Sequence, residues 1–174
     1  MEVTKEKIIK IAVIGVESSG KTTLAKKLSK ILNIKYIEEK SRFYLSKKKG
    51  IYTEKDVENI AKEQFKANNV EHESMVCDTE LLVCKIWYEH KYKKQNKIIN
   101  TLFEKQQFDI YLLMDNDLEW VFDLLRETPQ DEERQLLQKK YIDHLEISKL
   151  PYFLISGKGT QRAANALEKL KNIL

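Results

Sequence analysis

The run GVESSGKT, at positions 15–22, decides the fold of this chain. It fits the pattern G-x-x-x-x-G-K-[ST], in which a glycine-rich turn wraps its backbone N–H groups around phosphate. A continuously apolar run ends at Ile14, and an amphipathic helical pattern begins near Gly20. A chance glycine turn is the alternative, but two of only five glycines stand at the required places. The run therefore predicts a phosphate-binding loop between a buried strand and a helix.

Each position of this loop has a predicted part in nucleotide binding. Gly15 allows a tight exit from the strand, and Gly20 lets the backbone approach phosphate closely. We expect Lys21 to contact the terminal phosphates, Thr22 to ligate Mg²⁺ through its hydroxyl, and Thr23 to contact an inner phosphate. The predicted ATP contacts in the loop are Gly15, Glu17, Ser18, Ser19, Gly20, Lys21, Thr22 and Thr23.

Five apolar runs of strand type alternate with helical patterns along the chain. The runs are almost continuously apolar, as expected for parallel strands that are covered on both faces. The alternation predicts an α/β fold, a three-layer α/β/α sandwich with a mainly parallel five-stranded sheet, in one domain spanning residues 1–174. The predicted strands lie at 8–14, 34–37, 75–77, 110–114 and 152–155, and predicted helices begin near 20 and 53 and cover 81–92, 131–146 and 161–174.

Composition excludes several classes of function. The 31 basic and 27 acidic residues nearly cancel, and no basic tract is interleaved with aromatic residues, so we expect no nucleic-acid partner. No apolar run approaches the ~20 residues of a membrane span, and the polar residues 1–7 precede no apolar signal core. Cys77 and Cys84 are too few for a zinc cluster. We therefore expect a cytoplasmic protein without a membrane partner, and the sequence specifies no oligomeric state.

Acidic residues follow two of the predicted strands, where the ligands of such a fold bind. Asp78 suits an acid that orients Mg²⁺ directly or through water, with a helix cap as the alternative role. Glu38 and Glu39 follow the second strand, where a carboxylate can accept the proton of an acceptor hydroxyl, and a solvated turn is the alternative. We choose Glu39 as the candidate base. Arg42, about one helical turn further on, is expected to face the same cleft.

The length and the remaining motifs favour a small kinase. The chain lacks the N-K-x-D motif of guanine-binding switch proteins and is too short for a motor. Small kinases of this class close a basic lid over the phosphates to exclude water. A polar, lid-like segment lies at about 118–147, and its Arg126 and Arg134 are candidates for clamping the phosphoryl group. For Arg134 we favour the alternative, an exposed helix position with paired charges.

Five segments, in order over most of the chain, make it resemble the ribosylnicotinamide kinase module of NadR-type proteins. The phosphate loop is similar to that family's G-x-E-S-[ST]-G-K-[ST]-T-L. The spacing of aspartate, tryptophan and arginine in the fourth segment is more specific than the loop, which many families share. The other segments are E-x-A-R at 39–42 with serine for alanine, D-T-D-x-x-x-x-K-x-W at 78–87, a strand with P-D-x-x-W-x-x-D-G-x-R at 111–126, and the last strand with an adenine-side loop at 155–162.

The resemblance implies that Mg·ATP phosphorylates the 5′-hydroxyl of nicotinamide riboside, a small-molecule nucleoside. It places Trp120 on the nicotinamide ring, where a desolvated cation on an indole face gains about 1–2 kcal/mol. A position in the core is the alternative for Trp120. The resemblance also implies that Asp123 holds ribose hydroxyls, that Arg42 lies on the substrate side, and that Gly157 and Arg162 lie on the adenine side.

Four departures from the family pattern cluster around the acceptor pocket. They keep open a kinase of another nucleoside or small metabolite, and a regulatory ATPase is the rival from another class. Trp87 is expected in the core. The departures are Lys40, Glu80, Asn116 and Leu124. The predicted catalytic residues are Lys21, Asp78, Glu39 and Arg126, and the predicted metal ligands are Thr22 and Asp78.

Overall fold

Five parallel strands form the central sheet of the computed structural model, which describes residues 7–174. The expectation for the polar start of the chain, at residues 1–6, lies outside the described residues. The strands are β1 Lys10–Ile14, β2 Lys35–Ile37, β3 Met75–Asp78, β4 Ile110–Met114 and β5 Tyr152–Ile155. They pair in the order β2-β3-β1-β4-β5, so the strand before the phosphate loop is central. The predicted parallel five-stranded sheet is confirmed.

Seven helices connect and cover the strands within residues 7–174. They are α1 Lys21–Leu32, α2 Lys40–Lys47, α3 Glu54–Asn68, α4 Leu81–Tyr92, α5 Lys97–Lys105, α6 Asp131–Ile147 and α7 Gly159–Leu170. The sequence prediction missed α2 and α5. The short α2 buries only Leu45 and lacks a clear amphipathic period. The nine residues of α5 do have an amphipathic pattern, with Ile99 buried and Leu102 and Phe103 packed against the same core, and the sequence prediction overlooked it.

Alternate residues of the central strands point into two separate cores, one on each face of the sheet. On one face, Ile11 and Val13 pack with Leu28 of α1 and Ala166 of α7. On the other face, the core is formed by Ala12, Ile14, Tyr111 and Leu113 of the sheet together with Leu82 and Ile86 of α4 and Leu137, Tyr141 and Leu145 of α6. Since helices cover both faces, the three-layer α/β/α architecture is confirmed.

The carboxyl ends of the three central strands meet at one edge of the sheet. The register pairs Val13 of β1 with Asp78 of β3, and Ile14 with Leu113 of β4. The phosphate loop therefore begins beside the acid that ends the neighbouring strand. From residue 7 onward, no helix combines the length and apolar character needed to cross a bilayer.

The predicted lid-like segment divides into two parts. Residues 115–130 contain no helix or strand, whereas α6 packs its apolar face into the core. The exposed position expected for Arg134 is wrong, because this side chain is 1% exposed. Its guanidinium donates to the carbonyl oxygen of Leu118 at 3.0 Å and pairs with Asp131 at 3.1 Å. Arg134 thus connects the start of α6 with the irregular residues 115–130 of the lid-like segment.

Candidate active site

Two glycines give the phosphate loop, residues 15–22, its shape. Gly15 has φ +139°, and a Cβ atom there would lie 3.0 Å from the carbonyl oxygen of Met114. Gly20 has φ +82° and precedes the first residue of α1. Because side chains disfavour these conformations and the space is closed at Gly15, only glycine fits there without a shift of β4.

The loop leaves backbone donors free to bind an anion. No side chain caps α1, and among the described residues the backbone N–H groups of residues 16–22 take part in no hydrogen bond outside the helix. The ammonium of Lys21 folds over the loop and donates to the carbonyl oxygens of Gly15 at 3.0 Å and Val16 at 2.9 Å. Free N–H groups at a helix N-terminus, with an ammonium beside them, can hold a phosphate group.

A buried carboxylate lies beside the start of α1. Asp78 is 1% exposed, and its Oδ2 accepts a hydrogen bond from the phenol of Tyr36 at 3.2 Å. Burial raises the pKa of Asp78, while the neighbouring hydroxyl of Thr22 acts in the opposite direction. Its other oxygen, Oδ1, is buried and has no hydrogen-bond partner in the described part of the chain. Oxygen ligands suit Mg²⁺, so a hydroxyl next to a carboxylate with a free oxygen fits that cation.

The side chains of Glu17 and Ser18 contact another part of the chain, the 121–128 segment. The carboxylate of Glu17 accepts hydrogen bonds from the backbone N–H of Glu127 and Thr128, and from the hydroxyl of Thr128 at 2.7 Å. Ser18 Oγ accepts from the backbone N–H of Val121 at 2.9 Å. The side chains predicted to contact nucleotide thus anchor this segment, and only their backbone remains available to phosphate.

A set of paired charges lies between α2 and the 121–128 segment. Glu39 accepts a hydrogen bond from the hydroxyl of Ser41, and Arg42 lies 3.9 Å from the other oxygen of Glu39. Arg42 also pairs with Asp123 at 3.0 Å. The backbone N–H of Leu125 and, next, the Arg42 guanidinium lower the pKa of Asp123. The structure therefore brings together three residues that the sequence assigned to the acceptor side.

Two adjoining cavities open beside the phosphate loop. The small cavity, of about 150 Å³, is lined by Ser18 to Thr23 together with Glu39, Arg42 and Arg126. The large cavity, of about 390 Å³, shares Lys21 and Glu39 with it. The large cavity is also lined by Tyr52, Trp87, His90, Lys91, Glu127 and Glu133. A volume of this size can enclose a nucleoside-sized molecule with one end at the phosphate loop.

The two tryptophans occupy different surroundings. Trp87, on α4, lines the large cavity and donates its indole N–H to the hydroxyl of Tyr52 at 3.0 Å. Trp120 is not among the residues that line either cavity, and its ring lies 6.2 Å from that of Phe122. Sequence reasoning missed Trp87 as a wall residue, and only its spacing from Asp78 in the resemblance pointed to it.

The residues predicted on the adenine side support the back of the phosphate loop. Arg162 is 4% exposed and donates to the carbonyl oxygens of Ser19 at 2.8 Å and Gly157 at 2.6 Å. It also pairs with Asp117, whose carboxylate accepts from the backbone N–H of Gly157 at 2.7 Å. A buried guanidinium thus connects the loop after β5 with the phosphate loop.

The parallel sheet, the glycine turn before α1 and the acid at the end of β3 define an α/β domain of the P-loop nucleotide-binding class. Within this class the chain belongs to the AAA domain family, whose sequence model matches residues 10–162. Two curated relatives are the trifunctional NAD biosynthesis/regulator proteins NadR of Salmonella typhimurium and Escherichia coli. Each is 25% identical over 150 residues, which cover 82% of this chain. The match spans only 37% of the length of either relative.

Solved structures share the fold. A crystal structure of NadR protein in complex with NR has a TM-score of 0.74 at 18% identity, covering 95% of this chain and 51% of that one. A deoxyadenosine kinase from M. mycoides, with products bound, has a TM-score of 0.69 at 19% identity over 95% of this chain and 100% of its own. At such identities the likeness establishes the architecture, which several nucleoside and nucleotide kinases have in common.

Proposed function

We propose that this chain is a kinase that transfers the terminal phosphoryl group of ATP to the 5′-hydroxyl of nicotinamide riboside. The observation that carries the proposal is the large cavity, which opens onto the phosphate loop beside Lys21 and Glu39. The family resemblance and the NadR relatives, of which one solved structure contains NR, support this choice of acceptor. The 121–128 segment is proposed as part of the lid over the site.

The phosphate loop is proposed to hold the triphosphate. The free N–H groups of residues 16–22 donate to phosphate oxygens, and Lys21 exchanges its two carbonyl partners for the terminal phosphates. Arg126, on the wall of the small cavity, stabilises negative charge on the transferred group. Gly157 and Arg162 form the adenine side and support the loop through Ser19. Alignment and charge stabilisation supply most of the rate in this class of reaction.

Thr22 and Asp78 are proposed to hold Mg²⁺. Thr22 is close enough to Asp78 to lower the pKa of its carboxyl, and the unpartnered Oδ1 of Asp78 provides an available oxygen. When bound, the ion supplies positive charge to the phosphate oxygens. Tyr36 holds the Asp78 carboxylate in place through its own hydrogen bond.

The acceptor riboside is proposed to lie in the large cavity with its ribose toward the phosphate loop. Glu39, which lines both cavities, is the proposed base that accepts the proton of the 5′-hydroxyl. Asp123 lines neither cavity but is held by Arg42 on the wall of the small cavity, and it is the proposed partner of the ribose hydroxyls. Trp120 stays a candidate for stacking on the base. Trp87 is a second candidate, because it lines the large cavity and Trp120 does not.

The test is an assay with Mg·ATP and a panel of nucleosides, in which ADP and the phosphorylated product are followed by mass spectrometry. We expect ADP and a 5′-monophosphate with nicotinamide riboside, and background levels with deoxyadenosine, thymidine or no acceptor. Equal ADP formation without any acceptor would identify a regulatory ATPase, and product from another nucleoside alone would identify the rival kinase. The Lys21→Ala variant is the control for contaminating kinases.

A further inference from the structure

Four side chains form a closed hydrogen-bond network on one wall of the large cavity. The hydroxyl of Tyr52 accepts from the indole of Trp87 at 3.0 Å and donates to Glu127 Oε2 at 2.6 Å. The ammonium of Lys91 donates to Tyr52 at 2.6 Å and to Glu127 Oε1 at 2.7 Å. All four line the cavity. Two of them, Lys91 and Glu127, form an ion pair whose opposite charges face the same space.

The ion pair retains capacity for a ligand. An ammonium has three N–H groups, and Lys91 uses two of them within the network. A carboxylate has about four acceptor positions, and the network occupies two of those of Glu127. The side chains of Lys91 and Glu127 are 33% and 43% exposed, so both remain reachable from the cavity. A ligand can thus add one acceptor and one donor without breaking the pair.

A primary carboxamide presents the matching groups, since its oxygen accepts and its NH₂ donates within one plane. A carboxylate in the same place would gain from the ammonium but would face Glu127 with like charge, which costs affinity. We propose that the Lys91–Glu127 pair reads the carboxamide of the acceptor base and selects it over a carboxylate. This specificity role rests on the proposed function, because it assigns the base of the riboside to this end of the cavity.

Both members of the pair are fixed from several directions, which makes a specificity role physically sound. The backbone N–H of Glu127 donates to the carboxylate of Glu17 in the phosphate loop. Lys91 also lies over the ring of Tyr52, with its nitrogen 3.9 Å from the ring centroid. Burial, followed by the hydrogen bond to Glu127, raises the pKa of Tyr52, so its phenol stays protonated and donates. Groups held this way pay little ordering entropy when a ligand binds.

The experiment compares kcat/KM for two acceptors that differ only in one group. These are nicotinamide riboside and the corresponding riboside with a carboxylate in place of the carboxamide. The wild-type chain should prefer the carboxamide by about tenfold or more. Glu127→Gln removes the charge that repels a carboxylate, so it should lower the preference for the carboxamide at least about tenfold. Lys91→Met leaves the negative charge of Glu127 without its ammonium partner, so it should raise the preference for the carboxamide. Opposite shifts from two substitutions in one ion pair cannot arise from a general loss of structure.

The matched control is Glu133→Gln. Glu133 lines the same cavity but pairs with His90 at 2.6 Å, outside the network. The Glu133→Gln variant loses the same charge as Glu127→Gln. Its preference for the carboxamide riboside should stay within about threefold of the wild-type preference. Equal shifts in Glu127→Gln and Glu133→Gln, or no shift in either ion-pair variant, would overturn the inference while the kinase assignment stands. A wild-type chain that phosphorylates neither riboside would overturn the proposed function and this inference with it.

Discussion

The phosphate loop and the large cavity adjoin each other but are built in different ways. The loop is proposed to bind phosphate through the backbone N–H groups of residues 16–22 and the ammonium of Lys21, and its shape depends on Gly15 and Gly20. Apart from the phosphate loop at its edge, the large cavity is built from side chains, which come from the residues around α2, from α4 and α6, from the turn before α3 and from the 121–128 segment. A backbone site keeps its chemistry when most of its side chains change. A side-chain site changes specificity with single substitutions, so the two regions should respond differently to mutation.

The largest effect is expected at Lys21. Lys21→Ala should lower kcat by about a thousandfold, because one fixed donor to a charged transition state accounts for roughly 10²–10³ in rate. The melting temperature of Lys21→Ala should stay close to that of the wild type, since the ammonium of Lys21 donates hydrogen bonds to only two carbonyl oxygens of the loop. The control, Lys30→Ala, removes an exposed lysine from the same helix and should be fully active. Unchanged turnover in Lys21→Ala would exclude the phosphate-loop assignment.

The backbone character of the loop can be tested at Gly15. Gly15→Ala should lower the free energy of unfolding by about 2–4 kcal/mol, because strained φ and a tight contact with Met114 add together. Gly159→Ala is the matched control, since Gly159 has φ +55° and open space around its Cα. Gly159→Ala should lower the free energy of unfolding by only about 1 kcal/mol. Urea unfolding measures the free energy of unfolding of both variants. Equal losses of stability would show that the close approach of β4 to Gly15 is unimportant.

The two tryptophans test the side-chain character of the cavity. Trp87→Ala should raise the KM for the riboside about tenfold and leave the KM for ATP nearly unchanged, because Trp87 lines the large cavity. The sequence resemblance predicts the same result for Trp120→Ala. Steady-state kinetics of both variants decide between the two positions. A selective increase in the KM for the riboside only in Trp120→Ala would mean that the irregular stretch at residues 115–130 rearranges to bring that ring over the base.

The smallest effect is expected at Tyr36, which touches the loop only through Asp78. Tyr36→Phe removes one hydrogen bond to a carboxylate, a loss of about 1 kcal/mol. The concentration of Mg²⁺ needed for half-maximal ADP binding should rise about fivefold, as measured by titration calorimetry. Affinity for ADP without Mg²⁺ should not change. An equal loss of both affinities would assign Tyr36 a purely structural role.

The sequence alone predicted the parts of this molecule that are local. A glycine pattern after an apolar run determines the loop. The sequence predicted Asp78 at the end of a buried strand, and Asp78 is the last residue of β3. The cavity wall was not predictable, because Trp87, Lys91 and Glu127 meet only after α4 packs beside the 121–128 segment. The contacts of Glu17 and Ser18 likewise join residues more than 100 positions apart and leave no local pattern.

The buried position of Arg134 illustrates the same limit. Its spacing from Asp131 fits an ion pair on an exposed helix, and that pair is present. The buried guanidinium also donates to the carbonyl oxygen of Leu118, which lies in an irregular stretch that has no periodicity. Local patterns thus predicted the charge pairing but not the packing.

A crystal structure with a non-hydrolysable ATP analogue, Mg²⁺ and nicotinamide riboside tests the central claim most directly. The account predicts that the terminal phosphate accepts hydrogen bonds from backbone N–H groups of residues 16–22 and from the ammonium of Lys21. It also predicts that the riboside fills the large cavity, with its 5′-hydroxyl toward that phosphate. An extended, empty loop, or a riboside bound outside the large cavity, would contradict the account.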